Sequence, residues 1–315
     1  MPIRHHAEYF TDRAAMVTLR QKLTPMKGSV NGPSARRAFD EMMTAVPSAS
    51  GITYEAETIG VPGKWCRSPE AINDAAILYF HGGGYVVGAP EAYQHFAGQI
   101  AFRAKTAVFV PEYRLAPEHP FPAAVEDAQA AYAGLLAQGF TKIALAGDSA
   151  GGGLALALLS TSSKARAGSD TILKCAAVIS AWTDLAMTGE SMKTRADADL
   201  LSTPSSLAAL SRLYLGNQNA RDARASPLYG DLGALPPVRM HVGENDVLLD
   251  DSLRYAERLE QAGGTIEVHT WQGMMHVFPS NVALLRAAQE ALDDIGDFIQ
   301  SRLTDEPMAG PVKSV

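Results

Sequence analysis

Lys142–Leu159 reads KIALAGDSAGGGLALALL, and this stretch decides the fold. It begins with a short apolar run suited to a buried strand and ends in small apolar residues suited to a helix packed closely on the sheet. Between them, Gly147-Asp148-Ser149-Ala150-Gly151 has the form G-x-S-x-G. The letters alone are a weak signal, and the strand before and helix after make it specific. A strand turning sharply into a helix strains the serine backbone, and glycines are needed where the flanking chain passes close. Ser149 then stands at the carboxyl edge of a sheet, over the positive end of a helix, as a nucleophile does. A phosphate-cradling loop is the competing reading. Against it, no Gly-Lys-Ser/Thr follows, and the formal net charge of −7 offers a phosphate no help.

Outward from this point, apolar runs recur at Ala75–Phe80, Thr106–Val110, Lys174–Ser180, Val238–Val242 and Thr265–Trp271. Helical stretches such as Ala123–Gln138 and Asp250–Ala262 separate most of them. Near-continuous apolar strands alternating with helices predict a parallel sheet covered on both faces. Ile52–Ile59 alternates polar and apolar residues and reads as an added edge strand. Two regions break the rhythm. The first 45 residues read as an amphipathic helical arm with Gly, Pro and Ser interruptions. Thr183–Gly230 holds no strand candidate but a helical piece at Pro204–Leu215, so it reads as a functional insertion that, with the arm, could roof the sheet. Thr304–Val315 reads as a solvated tail.

With 315 residues and 47% hydrophobic side chains, the chain has ample material for a core. The charge of −7 argues against nucleic acid or an anionic membrane as partner, because both need a basic face. Cys66 and Cys175, the two cysteines, cannot form a disulfide scaffold or by themselves a zinc site, and they read as buried small hydrophobes. No signal peptide or membrane span is evident, so a cytoplasmic globular protein is expected.

His81-Gly82-Gly83-Gly84 directly follows the strand AAILYF. Consecutive glycines leave backbone N–H groups free to converge on a small anion, and Gly83, Gly84 and the N–H of Ala150 would form a three-point oxyanion hole. A plain flexible turn is the alternative. A serine nucleophile also needs a base and an orienting carboxylate. Of the eight histidines, His5, His6, His95 and His119 lie in arm or loop context, His81 belongs to the glycine turn, and His241 and His269 lie inside strand candidates. His276 remains, in the loop beyond the last strand. Asp246 follows the strand VRMHV, with Glu244 as its nearest rival, while Asp250 and Asp251 read as starters of the next helix. The chain order Ser149, Asp246, His276 is that of α/β-hydrolases.

The chain resembles the hormone-sensitive-lipase-like family of α/β-hydrolases, the bacterial type that contains many carboxylesterases. The resemblance rests on His81-Gly82-Gly83-Gly84-Tyr85, Gly147-Asp148-Ser149-Ala150-Gly151-Gly152, Glu112-Tyr113-Arg114-Leu115-Ala116-Pro117-Glu118, Asp246-Val247-Leu248-Leu249-Asp250-Asp251 and the His276 loop. It spans residues 50 to 300, and Glu112 departs from the aspartate usual at its position. It implies an α/β-hydrolase fold with a mostly parallel eight-stranded sheet, a Ser149/His276/Asp246 triad, and an oxyanion hole from Gly83, Gly84 and Ala150. It further implies an arm (1–45) and an insertion (185–225) forming a helical cap on a catalytic domain (46–303), ahead of the tail (304–315). The implied activity is metal-free, cofactor-free hydrolysis of short- to medium-chain acyl esters, with ester and water as partners. A homodimer through a sheet edge is compatible with the family.

Arg114, Glu118, Glu126 and Asp127 are expected to be fold-holding ion pairs, and Asp184 to fix the end of a strand beneath the cap. Tyr85, Trp182, Met187, Met274 and Met275 are the candidates for lining a substrate pocket, with core packing as the alternative. The same triad would serve a lactone or aryl-formamide hydrolase. A hydrolase-fold protein that only binds a small ligand is the reading of another class, and it usually shows a missing triad member.

Overall fold

The computed structural model describes residues 3–164 and 172–304. Along the chain run β1 (Ile3–His6), α1 (Phe10–Leu23), α2 (Arg36–Thr44), β2 (Thr53–Ile59), β3 (Val61–Arg67), β4 (Ala75–Phe80), α3 (Pro90–Ala104), β5 (Ala107–Pro111) and α4 (Ala123–Ala137). They continue with β6 (Lys142–Asp148), α5 (Ser149–Lys164), β7 (Leu173–Ile179), α6 (Ser191–Thr194), α7 (Pro204–Leu215), β8 (Val238–Gly243), α8 (Leu249–Gln261), β9 (Ile266–Trp271) and α9 (Arg286–Leu303). The tail expected at 304–315 lies, beyond Thr304, outside the described residues.

The strands form one nine-stranded sheet in the order β1-β9-β8-β7-β6-β4-β5-β3-β2, parallel except that β3 runs antiparallel to both β2 and β5. The sheet thus has nine strands where eight were expected. The addition is β1, in the arm read as helical. Ile3-Arg4-His5-His6 has no apolar alternation to announce a strand, and it is held by parallel pairing with β9 from Ile3↔Val268 to His6↔Trp271. The His6 ring stacks on Trp271 with centroids 3.7 Å apart. Strand β3 was also unannounced, because Pro62 and Gly63 interrupt its pattern. A side chain at position 63 would meet the Phe109 ring at 2.5 Å, so the neighbouring strand requires glycine there.

Strand β4 shows why its sequence is apolar throughout. All six of its residues are fully buried. Ala76, Leu78 and Phe80 pack with α4 and α5, while Ala75, Ile77 and Tyr79 pack with α3 and α9 on the other face. A strand with helices on both sides has no wet face, which is what the near-continuous apolar runs predicted.

The strand order places the site. From β4 the chain crosses outward to β5, then returns past β4 to β6, so a crevice opens at the carboxyl ends of β4 and β6. Phe80 and Gly147 are paired there, which brings the glycine turn after β4 beside the serine after β6.

Candidate active site

Ser149 is the first residue of α5 and has φ +52°, in the left-handed region that non-glycine residues avoid. The backbone around it is tightly packed: a Cβ at Gly151 would lie 2.0 Å from the Phe80 carbonyl oxygen, and one at Gly147 would lie 2.6 Å from the same atom. Both glycines of the motif are therefore required by the approach of β4, and the serine between them bears the strain. The Ser149 carbonyl accepts the Trp182 N–H at 2.8 Å, anchoring the turn to the chain after β7.

Ser149 Oγ lies 3.0 Å from His276 Nε2. His276 Nδ1 lies 2.9 Å and 3.1 Å from the two carboxylate oxygens of Asp246. Asp246 is fully buried, and its Oδ1 also accepts the Leu248 N–H at 2.8 Å. His276 comes from the loop after β9 and reaches across β8 and β7 to Ser149. Val277 holds it there, donating its N–H to Ser180 Oγ at 3.1 Å from the end of β7. Val277 itself has φ +48°, an outlier for a β-branched residue.

Burial works against a charge on the His276 ring. The Asp246 carboxylate outweighs it, Asp199 and Asp148 add to the field, and the net effect raises the imidazole above its ordinary value. Such a ring favours the imidazolium form that accompanies proton abstraction from a serine. Glu244, the rival carboxylate, donates its own N–H to the Trp271 carbonyl at 2.9 Å, while both Asp246 oxygens face His276.

Gly83 and Gly84, at φ +108° and +62°, line the cavity beside Ser149 and His276. The preceding Gly82 N–H is already engaged with Asp148 Oδ1 at 3.0 Å. Among the described residues, no protein acceptor takes the Gly83 or Gly84 N–H. Ala150 follows Ser149 in the first turn of α5 and is fully buried. Gly83 and Gly84 thus share the cavity lining with Ser149, and Ala150 is its chain neighbour.

The cavity has a volume of about 100 Å³. The arm contributes Met26, Val30, Phe39, Met42 and Met43 to its wall, and the insertion contributes Leu201, Leu207 and Leu210. None of the five residues expected to line it does so. Tyr85 stacks on Tyr214 with centroids 3.8 Å apart, Trp182 is fully buried in the core, and Met187 packs against the same core. Met274 and Met275 pack with Trp271 and Phe278, and Met275 lines a neighbouring cavity instead. The lining of this cavity is not legible in the sequence because it depends on how the arm and insertion dock, which no local pattern records.

Other residues fall as follows. Arg114 pairs with Asp127 and Glu126 at 2.9 Å, and Arg36 of the arm pairs with Glu118 at 2.6 Å. Asp184 accepts hydrogen bonds from Thr188, Tyr229 and Arg254 just beyond β7. Asp250 and Asp251 do sit in the first turn of α8, but neither caps it. Asp250 accepts the Ser191 N–H and Asp251 the Thr183 and Asp184 N–H groups, so both tie α8 to the insertion. Cys66 and Cys175 are free and buried, and burial pushes both thiols up to about 12. Sequence reasoning missed Asp199, a fully buried carboxylate of the insertion next to Asp246; no motif marks it.

A family described as alpha/beta hydrolase fold matches residues 77–280. The chain is 37% identical to an acetyl-hydrolase of Streptomyces hygroscopicus, covering 84% of this chain and 89% of the relative. It is 31% identical to an esterase of Acinetobacter venetianus, covering 93% and 96%. Among solved structures, it is similar to an esterase from the bacterial hormone-sensitive lipase family, with TM-score 0.85, 35% identity, and coverage of 95% of this chain and 100% of that one.

Proposed function

The chain belongs to the α/β-hydrolase family, among bacterial hormone-sensitive-lipase-like esterases, and from that premise we propose hydrolysis of short- to medium-chain acyl esters through an acyl-Ser149 intermediate. The protein is a carboxylic ester hydrolase, as its relatives are. The observation that carries the mechanism is the unbroken relay Ser149 Oγ, His276 Nε2, His276 Nδ1, Asp246 carboxylate, with successive gaps of 3.0 and 2.9 Å.

His276 Nε2 takes the proton of Ser149 Oγ as the oxygen attacks the ester carbonyl. Asp246 holds the ring by Nδ1 and stabilises the imidazolium that forms. The oxygen of the tetrahedral intermediate is received by the N–H groups of Gly83, Gly84 and Ala150, where one missing donor typically costs about 2.7–4 kcal/mol. His276 then protonates the departing alcohol, and activates a water to release the acid from acyl-Ser149.

The preference for short acyl groups is supported by the small cavity, and by the relative named as an acetyl-hydrolase. We read the arm and the 185–225 insertion as one cap, because both supply cavity wall. Among the described residues no helix is long and apolar enough to cross a membrane. The two free, buried cysteines suit the reducing cytoplasm, and β1 and β2, which end the sheet, are the edges at which two copies could pair.

A fluorophosphonate probe followed by peptide mapping, with a p-nitrophenyl ester series from acetate to dodecanoate, tests the reading. Label at Ser149 and turnover greatest for short chains is the expected result. Label without ester turnover would redirect the assignment to lactones or amides, and no label would leave a binding protein.

A further inference from the structure

Val247, the residue after Asp246, has both main-chain polar groups held by the insertion. Its N–H donates to Asp199 Oδ2 at 3.0 Å, and its carbonyl accepts from Ser191 Oγ at 2.7 Å. Ser191 Oγ also accepts the Asp250 N–H at 3.0 Å. Asp199 Oδ1 accepts the N–H groups of Leu201 and Ser202 at 2.8 and 2.9 Å, and these two residues line the cavity beside Ser149. Two cations of the arm secure the turn just before Asp199: Arg20 donates to the Ala198 carbonyl at 3.2 Å, and Lys27 to the Ala196 carbonyl at 2.6 Å.

A fully buried carboxylate is costly, and one beside a second buried carboxylate more so. Asp199 is in that position: burial and the neighbouring Asp246 both raise its carboxyl above the ordinary range. An asparagine would present its amide N–H to a backbone donor on one side or the other, so a carboxylate alone accepts from both Val247 and the 201–202 turn. The charged groups acting on His276 are Asp246 from the loop after β8, Asp148 from the turn after β6, and Asp199 from the insertion.

We propose that Asp199 is a positioning residue for ester hydrolysis, fixing the Asp246 loop against the insertion and placing a further buried negative charge near His276. The proposal rests on the Ser149–His276–Asp246 reading. Through Asp199 the same side chain that orients the carboxylate loop also shapes the cavity wall, so docking of the cap and alignment of the relay are one event.

Asp199→Asn and Ser191→Ala separate the two effects. Asp199→Asn removes the charge, and the acid limb of its kcat/KM profile should move to lower pH by on the order of one unit, with kcat reduced. Ser191→Ala loosens Val247 without changing charge. It should lower kcat about tenfold while the acid limb stays in place, since small misplacements of catalytic groups cost up to about 10²-fold. A purely structural role would lower Tm and raise KM with the limb unmoved, and that result in folded Asp199→Asn protein overturns the proposal. Should Asp199→Asn not fold, wild-type kcat in Ser191→Ala overturns it. Fluorophosphonate labelling of the unsubstituted protein keeps the two readings apart: failure to label Ser149 sinks the relay itself, whereas a labelled enzyme with unmoved variants sinks only the role of Asp199.

Discussion

Asp148 accepts the backbone N–H of Gly82 at 3.0 Å, so the side chain next to Ser149 holds the turn that carries Gly83 and Gly84. The same oxygen accepts the Tyr79 hydroxyl at 2.6 Å, and the other oxygen accepts the Tyr93 hydroxyl at 3.1 Å. Position 82 has room for nothing larger than glycine, since a Cβ there would lie 2.2 Å from Asp148 Oδ2. The two glycine motifs are thus one assembly with a carboxylate at its centre.

Asp148→Ala should therefore release the turn as well as strand three buried donors. We expect a loss of kcat of about 10²-fold or more, by analogy with removal of an oxyanion donor, together with a lower Tm. Asp148→Asn keeps an acceptor for Gly82 and should be far milder. Equal losses in the two variants would show that charge, not the hydrogen-bonded turn, is what matters.

The same carboxyl gives a stability signature with pH. Burial raises it to about 6, against the opposing pull of the Tyr79 and Tyr93 hydrogen bonds. A folded-state value above the unfolded one means the native state holds the proton more tightly, so this group's contribution declines as pH rises from about 4 through about 6. Asp148→Asn lacks the titration. The Tm of the natural protein relative to that variant should fall across this window in parallel thermal melts; a constant difference would refute the assignment.

Replacing the relay members distinguishes the two acidic candidates. Ser149→Ala should abolish turnover while leaving the melt intact. Asp246→Asn should lower kcat by about 10⁴-fold, as in the corresponding serine protease variant. Glu244→Gln should be close to neutral, because the Glu244 backbone pairs with Trp271 and both Asp246 oxygens face His276. A crippled Glu244→Gln enzyme would reverse the choice.

The raised value of His276 predicts the shape of the activity profile. The ring must be neutral to accept the serine proton, so kcat/KM should rise with pH and its acid limb should lie above the ordinary imidazole value of about 6.5. Weakening the field, as in Asp199→Asn, should move that limb down. An acid limb below the ordinary value in the natural protein would contradict the geometry of three carboxylates around one imidazole.

What the sequence disclosed follows from where each residue sits. Strand β4 was legible because burial on both faces demands apolar residues at every position, and β6 and β8 carry enough apolar residues to read in the same way. β1 and β3 were not, because the polar Ile3–His6 segment and the Pro62-Gly63 interruption are stabilised by partners distant in sequence. Ser149, Asp246 and His276 could be singled out because each follows a strand that declares itself. Asp199 lies in the irregular chain between α6 and α7, and the methionines of the cavity wall in helical segments of the arm, whose docking onto the sheet is set by tertiary contacts such as Arg36 with Glu118.

A polar cluster at the other end of β8 predicts a stability effect without a catalytic one. Arg239, only 4% exposed, donates to Asp294 at 2.6 Å, and His241 Nε2 lies 3.0 Å from the same carboxylate. Asp294→Ala leaves the buried guanidinium with Glu267 alone, at 3.1 Å, so the cost should stay below the about 3–5 kcal/mol typical of a buried charge left unpaired. Tm should fall sharply while kcat of the remaining folded enzyme stays near its natural value. A lost kcat in folded protein would tie this cluster to the site.

Chain-length selectivity offers the last test, because the wall between two cavities is made of flexible side chains. The small cavity beside Ser149 and a neighbouring one of about 410 Å³ share Met26, Met42, Met43 and Leu201 in their linings. The larger cavity is bordered by Leu19, Leu23, Val46 and Leu284, so it offers an apolar surface to an acyl chain that passes the methionines. Met42 is half-buried, and shortening it should open the passage at less cost to stability than shortening the buried Met43. Each methylene newly removed from water contributes about 0.8 kcal/mol, or about fourfold in kcat/KM. In Met42→Ala the ratio of octanoate to butanoate turnover should therefore rise at least about fourfold, mainly through the longer ester. An unchanged ratio would mean that the two cavities stay separate in solution and that short-chain selectivity is set elsewhere, at Leu207 and Leu210 on the cap side of the serine.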